Sequence, residues 1–207
     1  MAAADGGQGA RMGRAHGRAG VASQHRLFFA LWPSDEFRAE IETRALPFAR
    51  ASGGRLIPPR NFHVTLLFLG EIPTERLSAI QQAAASVVGS PAFQLQFDTI
   101  ESWGRKVLCL TSSKPPAAVI DLAERLRGSL RGQLKQLDER PYSPHITLAR
   151  DLPRGLRPQT IATLYQQVND YVLVESMRDA GGSHYSVLER WPLQSTPTPD
   201  PTVADRE

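Results

Sequence analysis

His63-Val64-Thr65-Leu66 and, 82 positions further on, His145-Ile146-Thr147-Leu148 are the two stretches on which the reading of this chain turns. Side chains of an extended strand alternate between its faces, so His63 and Thr65 share one face while Val64 and Leu66 share the other. The same parity holds for His145 and Thr147. Each tetrapeptide thus offers an imidazole and a hydroxyl to one side and anchors itself with aliphatics on the opposite side. With 11 threonines in 207 residues, a given histidine has roughly a 5% chance of a Thr two places on. One such match is weak; two, on matching apolar strands, single out this pair among the five histidines.

Working outward, strand and helix patterns alternate. Residues 26–32 form a compact apolar run ended by Pro33, a buried strand. Ser34 followed by Asp35 and Glu36 starts a helix that runs to about Arg50. After the breaks at Gly53-Gly54 and Pro58-Pro59, residues 62–70 read as a strand and 73–88 as a helix. Residues 93–100 alternate like a half-buried strand. Further strands are expected at 106–111 and 145–150, with a helix at 117–137 between them. A Pro-containing loop covers 151–160, and 171–177 with 184–189 form a hairpin around Gly181-Gly182. The order of elements is that of an α+β protein.

The chemistry of the paired motifs is specific. If the two strands lie side by side, two imidazoles and two hydroxyls converge on one small volume. A neutral histidine takes a proton from attacking water, and a protonated one gives a proton to a leaving oxygen. An ordinary pKa of roughly 6.5 leaves both forms accessible near neutrality. Threonine hydroxyls donate hydrogen bonds to non-bridging phosphoryl oxygens. This is a complete set for cleaving a phosphodiester without a metal or other cofactor. Neither histidine has an Asp or Glu at ligand spacing, and no CxxC, HExxH or Gly-rich phosphate loop is present.

Composition sets the frame: 41% hydrophobic and 22% charged residues, enough for a sizeable core. The formal net charge of +3 fits an anionic ligand without demanding one. No run approaches the roughly 18 apolar residues of a membrane span, and the start lacks the apolar core of a secretory signal. The lone Cys109 reads as a small buried hydrophobe, compatible with the reducing cytoplasm. Residues 1–25, rich in Gly and Ala with Arg11, Arg14 and Arg18 against the single acid Asp5, read as a dispensable disordered tail. Their composition is also that of an organelle transit peptide, and Met12 offers a later start. Residues 194–207, with Pro197, Pro199 and Pro201, read as a second flexible tail.

The sequence resembles the two-histidine (LigT-like) phosphoesterase superfamily, and within it the RNA 2′,3′-cyclic phosphodiesterases once named 2′-5′ RNA ligases. Arg26-Leu27-Phe28-Phe29-Ala30-Leu31 resembles the family's opening strand. Pro58-Pro59-Arg60-Asn61-Phe62 leads into the first motif and Leu67-Phe68-Leu69-Gly70-Glu71 follows it. Arg140-Pro141-Tyr142-Ser143-Pro144 precedes the second motif, Ala149-Arg150 follows it, and 185–193 resembles the closing strand. The resemblance covers residues 26–193. Arg60 and Leu56 depart from the pattern, which bears on how a long RNA lies on the rim.

The resemblance implies a bilobal fold of two related sheet-plus-helix halves around a central cleft. It implies that His63 is the proton donor and His145 the proton acceptor, a choice the nearly symmetric residue pattern leaves open. It also implies that Thr65, Thr147 and Arg150 contact phosphate, although strand parity sets Arg150 on the face opposite His145. The implied enzyme is a monomer that hydrolyses cyclic phosphate ends of RNA, or small cyclic nucleotides, to a 2′-phosphomonoester, with 2′-5′ RNA ligation as the reverse. A non-catalytic RNA-end binding module is the competing class; a matched acid and base argue against it. His16 and His25 read as solvated beside the tail, and His184 as a half-exposed structural residue. Phe28, Tyr142 and Tyr185 are candidates for base stacking or packing. Trp32, Trp103 and Trp191 read as core or edge aromatics, and Arg125, Arg127, Arg131 and Lys135 as a solvated helix face.

Overall fold

The computed structural model describes residues 23–87, 89–134, 140–179 and 182–195. Its strands are β1 (Gln24–Leu31), β2 (Arg55–Leu56), β3 (Val64–Pro73), β4 (Phe93–Trp103), β5 (Val107–Thr111), β6 (His145–Arg150), β7 (Gln159–Val168), β8 (Asp170–Asp179) and β9 (Gly182–Pro192). They form one antiparallel sheet in the order β7-β4-β5-β6-β3-β1-β8-β9, with β2 paired to β6. Four strands of that order lie on each side of the β6–β3 seam. The two expected halves are therefore the two wings of a single sheet, joined where Val64 pairs with Ile146.

Helices α1 (Asp35–Arg44), α2 (Leu46–Ala51), α3 (Leu77–Ala85) and α4 (Ala117–Ser129) pack the apolar side of the sheet. Strand β1 shows why its sequence is apolar throughout. Leu27, Phe29 and Leu31 enter the large helix-covered core, while Phe28 and Ala30 join Val172 and Val174 in a small cluster on the other face. Helix α1 starts as its sequence dictates: the Ser34 hydroxyl accepts from the Phe37 amide at 3.2 Å, with Asp35 and Glu36 in the first turn. In α4, Val119, Leu122, Ala123 and Leu126 give a buried stripe at helical spacing.

Several boundaries differ from the sequence reading. The helix expected from Ser34 to Arg50 is two helices, because the chain breaks at Ala45 and Pro47 sits in the opening turn of α2. The helix expected over 73–88 opens with a 3₁₀ turn at Thr74–Arg76. Strand β3 begins after His63 and runs on to Pro73. Strand β7 occupies the end of an expected loop and the stretch after it. Its inward positions include Gln166, which is buried at 4% exposure, so the alternation lacks an apolar residue where the pattern needs one. The first tail ends sooner than residue 25, since Gln24 and His25 pair with Pro73 and Ile72. Helix α4, expected to reach 137, ends at Ser129, and residues 1–22 (with His16), 88, 135–139 (with Lys135), 180–181 and 196–207 lie outside the described residues.

Candidate active site

The register at the seam builds the site. Since β3 and β6 are antiparallel and Val64 faces Ile146, His63 lies across from Thr147 and Thr65 across from His145. Each imidazole thus sits beside the other motif's hydroxyl, and the histidines form the diagonal, which in a sheet spans roughly 7–8 Å. All four side chains line one cavity of about 820 Å³ on the open face of the sheet.

Both rings are held alike. His63 Nδ1 donates to the Asn61 carbonyl at 2.7 Å, and His145 Nδ1 donates to the Ser143 carbonyl at 2.9 Å, in each case two residues back. With Nδ1 engaged as a donor, Nε2 is the nitrogen left for proton transfer. The Asn61 side chain, itself buried, donates to the Ser183 carbonyl at 2.8 Å and ties the turn before His63 to β9. Sequence reasoning gave Asn61 no role; only its place in the run 58–62 pointed to it.

Aromatic rings pack around the pair. Phe28 and Tyr185 lie 4.8 and 5.2 Å from the His63 ring, and Trp32 stacks on it at 6.1 Å. Trp103 meets His145 edge-on at 4.3 Å and donates its indole N–H to Glu101 at 3.2 Å. Trp32 and Trp103, read from sequence as core or edge aromatics, therefore border the histidines. Tyr142 instead packs against the main core.

Burial lowers the pKa of both rings. It pushes His63 down to about 4, aided by the positive charges of His145, Arg150 and Arg38, against the Asn61 carbonyl. It lowers His145 too, with Arg150 adding and the Ser143 carbonyl and Glu101 opposing. Cys109, paired with Thr147 on the neighbouring strand, is fully buried and its thiol is pushed up to about 12, so it remains a protonated packing residue.

Arg150 reaches the cavity despite its parity. Cys109 pairs with Thr147 but Leu108 pairs with Ala149, so Leu148 is an extra residue in β6. This bulge reverses the alternation beyond it and returns Arg150 to the face of His145 and Thr147. The bulge is invisible in the sequence, where Leu148 and Ala149 are simply two apolar residues. Arg60 and Leu56 line the rim, as expected.

The other two described histidines do not line the cavity. His184 has Nε2 3.1 Å from the Asp179 carboxylate. His25 is not a solvated tail residue: its Nδ1 lies 2.6 Å from Glu175 and its Nε2 3.1 Å from the Thr74 hydroxyl. On α4, Arg125 donates to Ser90 and Arg127 to Glu124. Among the described residues, no three His, Cys, Asp or Glu side chains come together as a metal site, and no helix is long and apolar enough to cross a membrane.

A seam of two His-x-Thr faces on one antiparallel sheet is the architecture of a phosphoesterase. A crystal structure of a phosphoesterase superposes with a TM-score of 0.74 at 31% identity, covering 83% of this chain and 99% of that one. Escherichia coli LigT complexed with 3′-AMP matches at a TM-score of 0.74 and 32% identity, over 83% of this chain and 99% of that one. The RNA 2′,3′-cyclic phosphodiesterase of Escherichia coli K12 is 33% identical over 176 residues, 84% of this chain and 99% of the relative. That of Thermus thermophilus is 30% identical over 189 residues, 82% of this chain and 90% of the relative. The chain belongs to the 2′-5′ RNA ligase superfamily, whose family model matches residues 33–175.

Proposed function

We propose that this chain hydrolyses the 2′,3′-cyclic phosphodiester at an RNA end to a 2′-phosphomonoester. The observation that carries the reading is the reciprocal seam, in which the Val64–Ile146 register sets one imidazole and one hydroxyl on each side of a single cavity. Relatives named RNA 2′,3′-cyclic phosphodiesterase over nearly their whole length support it, as does LigT solved with 3′-AMP and with phosphate.

In the reaction, His145 is neutral and accepts a proton at Nε2 from the attacking water. Water adds to phosphorus opposite the departing 3′ oxygen, and His63 gives that oxygen its proton from Nε2. The P–O3′ bond breaks, the P–O(water) bond remains, and the proton count returns when the two rings exchange protons with solvent. Thr65, Thr147 and Arg150 hold the non-bridging oxygens, where negative charge gathers in the transition state. His63 must carry a proton although burial alone holds it at about 4. The phosphate anion supplies the missing counter-charge and stabilises the imidazolium on arrival. With acid, base and anion holders all supplied by side chains, the step needs no divalent ion. Reversal of the same steps joins a cyclic end to a 5′-hydroxyl, but the high concentration of water favours hydrolysis. We assign the enzyme to the cytoplasm as a monomer, acting on RNA in a reducing compartment.

The test is turnover of an oligonucleotide ending in a 2′,3′-cyclic phosphate. His63→Ala and His145→Ala each lower kcat by at least about 10²–10⁴-fold, and Thr65→Ala or Thr147→Ala by less, with unchanged melting temperatures. A His184→Ala variant as damaged as either motif variant overturns the assignment.

A further inference from the structure

The cavity does not end at the histidines. It continues along β1 and β3 to Phe68, a large apolar ring left 46% exposed. Its exposure has a backbone cause. Strand β1 pairs Ala30 with Thr65, Phe29 with Leu67, Phe28 with Phe68 and Leu27 with Gly70, so Leu66 and Leu69 are extra residues in β3. The bulge at Leu66 brings Thr65 and Phe68, three apart, to the same open face, where plain alternation would oppose them. Three strand residues span about 10 Å, so the ring lies about one nucleotide's reach from the catalytic threonine.

Arg26 stands over Phe68 with its guanidinium 4.7 Å from the ring centroid. Its carboxylate neighbour Glu71 is 3.9 Å away and solvent-facing, a weak contact that a stronger anion displaces. The cavity is lined by five arginines, Arg26, Arg55, Arg60, Arg150 and Arg178, against one acid, Asp179. Its volume of about 820 Å³ lies toward the upper end of the roughly 300–1,000 Å³ of ligand pockets, more than one cyclic nucleotide fills.

We infer that this strip is the track for the single-stranded RNA just 5′ of the cyclic phosphate, with the penultimate base stacked on Phe68 and its phosphodiester held by Arg26. An exposed aromatic beside a guanidinium is what binds a nucleic-acid strand without reading its sequence, because every base has a π-face and every linkage a charge. The inference rests on the cyclic phosphodiesterase reading and names its substrate class: oligonucleotides, rather than free cyclic mononucleotides.

The experiment compares kcat/KM for a trinucleotide ending in a 2′,3′-cyclic phosphate with that for 2′,3′-cyclic AMP, in the wild type, Phe68→Ala, Phe68→Trp and Arg26→Gln. In parallel, fluorescence anisotropy measures binding of the trinucleotide with a 2′-phosphate end. The wild type favours the trinucleotide by about tenfold or more. Phe68→Ala lowers trinucleotide kcat/KM by roughly 5- to 150-fold, mostly through KM, the range of one base stack, while turnover of the mononucleotide stays within about twofold. Phe68→Trp restores the preference. Arg26→Gln flattens the slope of log affinity against log salt by about 0.7, the value of one phosphate contact on a single strand. Equal losses on both substrates, or no loss on the trinucleotide, overturn the track. Failure of the wild type to hydrolyse either substrate overturns the phosphodiesterase reading instead. The anisotropy then decides the track alone: weaker binding by Phe68→Ala upholds it and unchanged binding overturns it.

Discussion

An anion entering the cavity should bring a proton with it. Burial and neighbouring cations hold His63 at about 4. The drop from the ordinary 6.5 is roughly 3 kcal/mol of bias against the imidazolium. A bound anion beside the ring offsets that bias. If it restores the ordinary value, the site takes up most of one proton with the anion at pH 5 and almost none at pH 7.5. The linkage then makes binding about 30-fold tighter at the lower pH. The sign is fixed by the direction of the shift: a base whose pKa rises on binding strengthens that binding as pH falls. Sulfate is a suitable probe, because it does not itself titrate in this range. Isothermal titration at constant ionic strength, in two buffers of different ionisation enthalpy, measures both affinity and proton uptake. His63→Gln should remove most of the gain and leave the smaller part due to His145, which is also held low. A pH-independent affinity in the wild type, or a His63→Gln variant that keeps the full gain, refutes this electrostatic reasoning.

Two further expectations concern stability. Tyr171 is buried and donates its hydroxyl to the Ala84 carbonyl at 2.8 Å; that carbonyl also accepts from the Val87 amide at 2.9 Å, so Tyr171→Phe leaves no orphaned acceptor and should cost only about 1 kcal/mol in urea denaturation, with turnover unchanged. Deleting residues 1–22 should leave melting temperature and turnover unchanged, whereas deleting 1–25 also removes the pairing of Gln24 and His25 with β3 and the His25 contacts to Glu175 and Thr74; a loss of about 1–2 kcal/mol lowers the melting temperature by about 3–6 °C, as differential scanning fluorimetry will read.

The grouping of the four motif side chains in one cavity was legible because it depends on short-range parity: His63 with Thr65, and His145 with Thr147, need only an extended backbone to share a face. The strands that carry them, and the apolar runs of β1 and β8, were legible for the same reason. What the sequence concealed were departures from alternation. The bulge at Leu148 brings Arg150 into the cavity, and the one at Leu66 turns Phe68 to the face of Thr65. An extra residue in a ladder leaves no mark in composition, since its cause is the register of the neighbouring strand. Strand β7 was missed because Gln166 occupies a buried position where a half-buried strand usually carries an apolar residue. The aromatic surround of the histidines was hidden differently. Trp32 and Trp103 are far from both motifs in sequence, and only the sheet order brings them to His63 and His145.

We propose that two histidines and two threonines open a cyclic phosphate at its 3′ oxygen without a metal. The most direct measurement is ³¹P NMR of an oligonucleotide ending in a 2′,3′-cyclic phosphate, incubated with protein exhaustively treated with EDTA. Conversion to the 2′-phosphomonoester at the rate of untreated protein is the expected result. Loss of turnover on chelation with rescue by Zn²⁺ or Mn²⁺ contradicts the metal-free mechanism, and a 3′-phosphomonoester product contradicts the assignment of His63 to the 3′ oxygen.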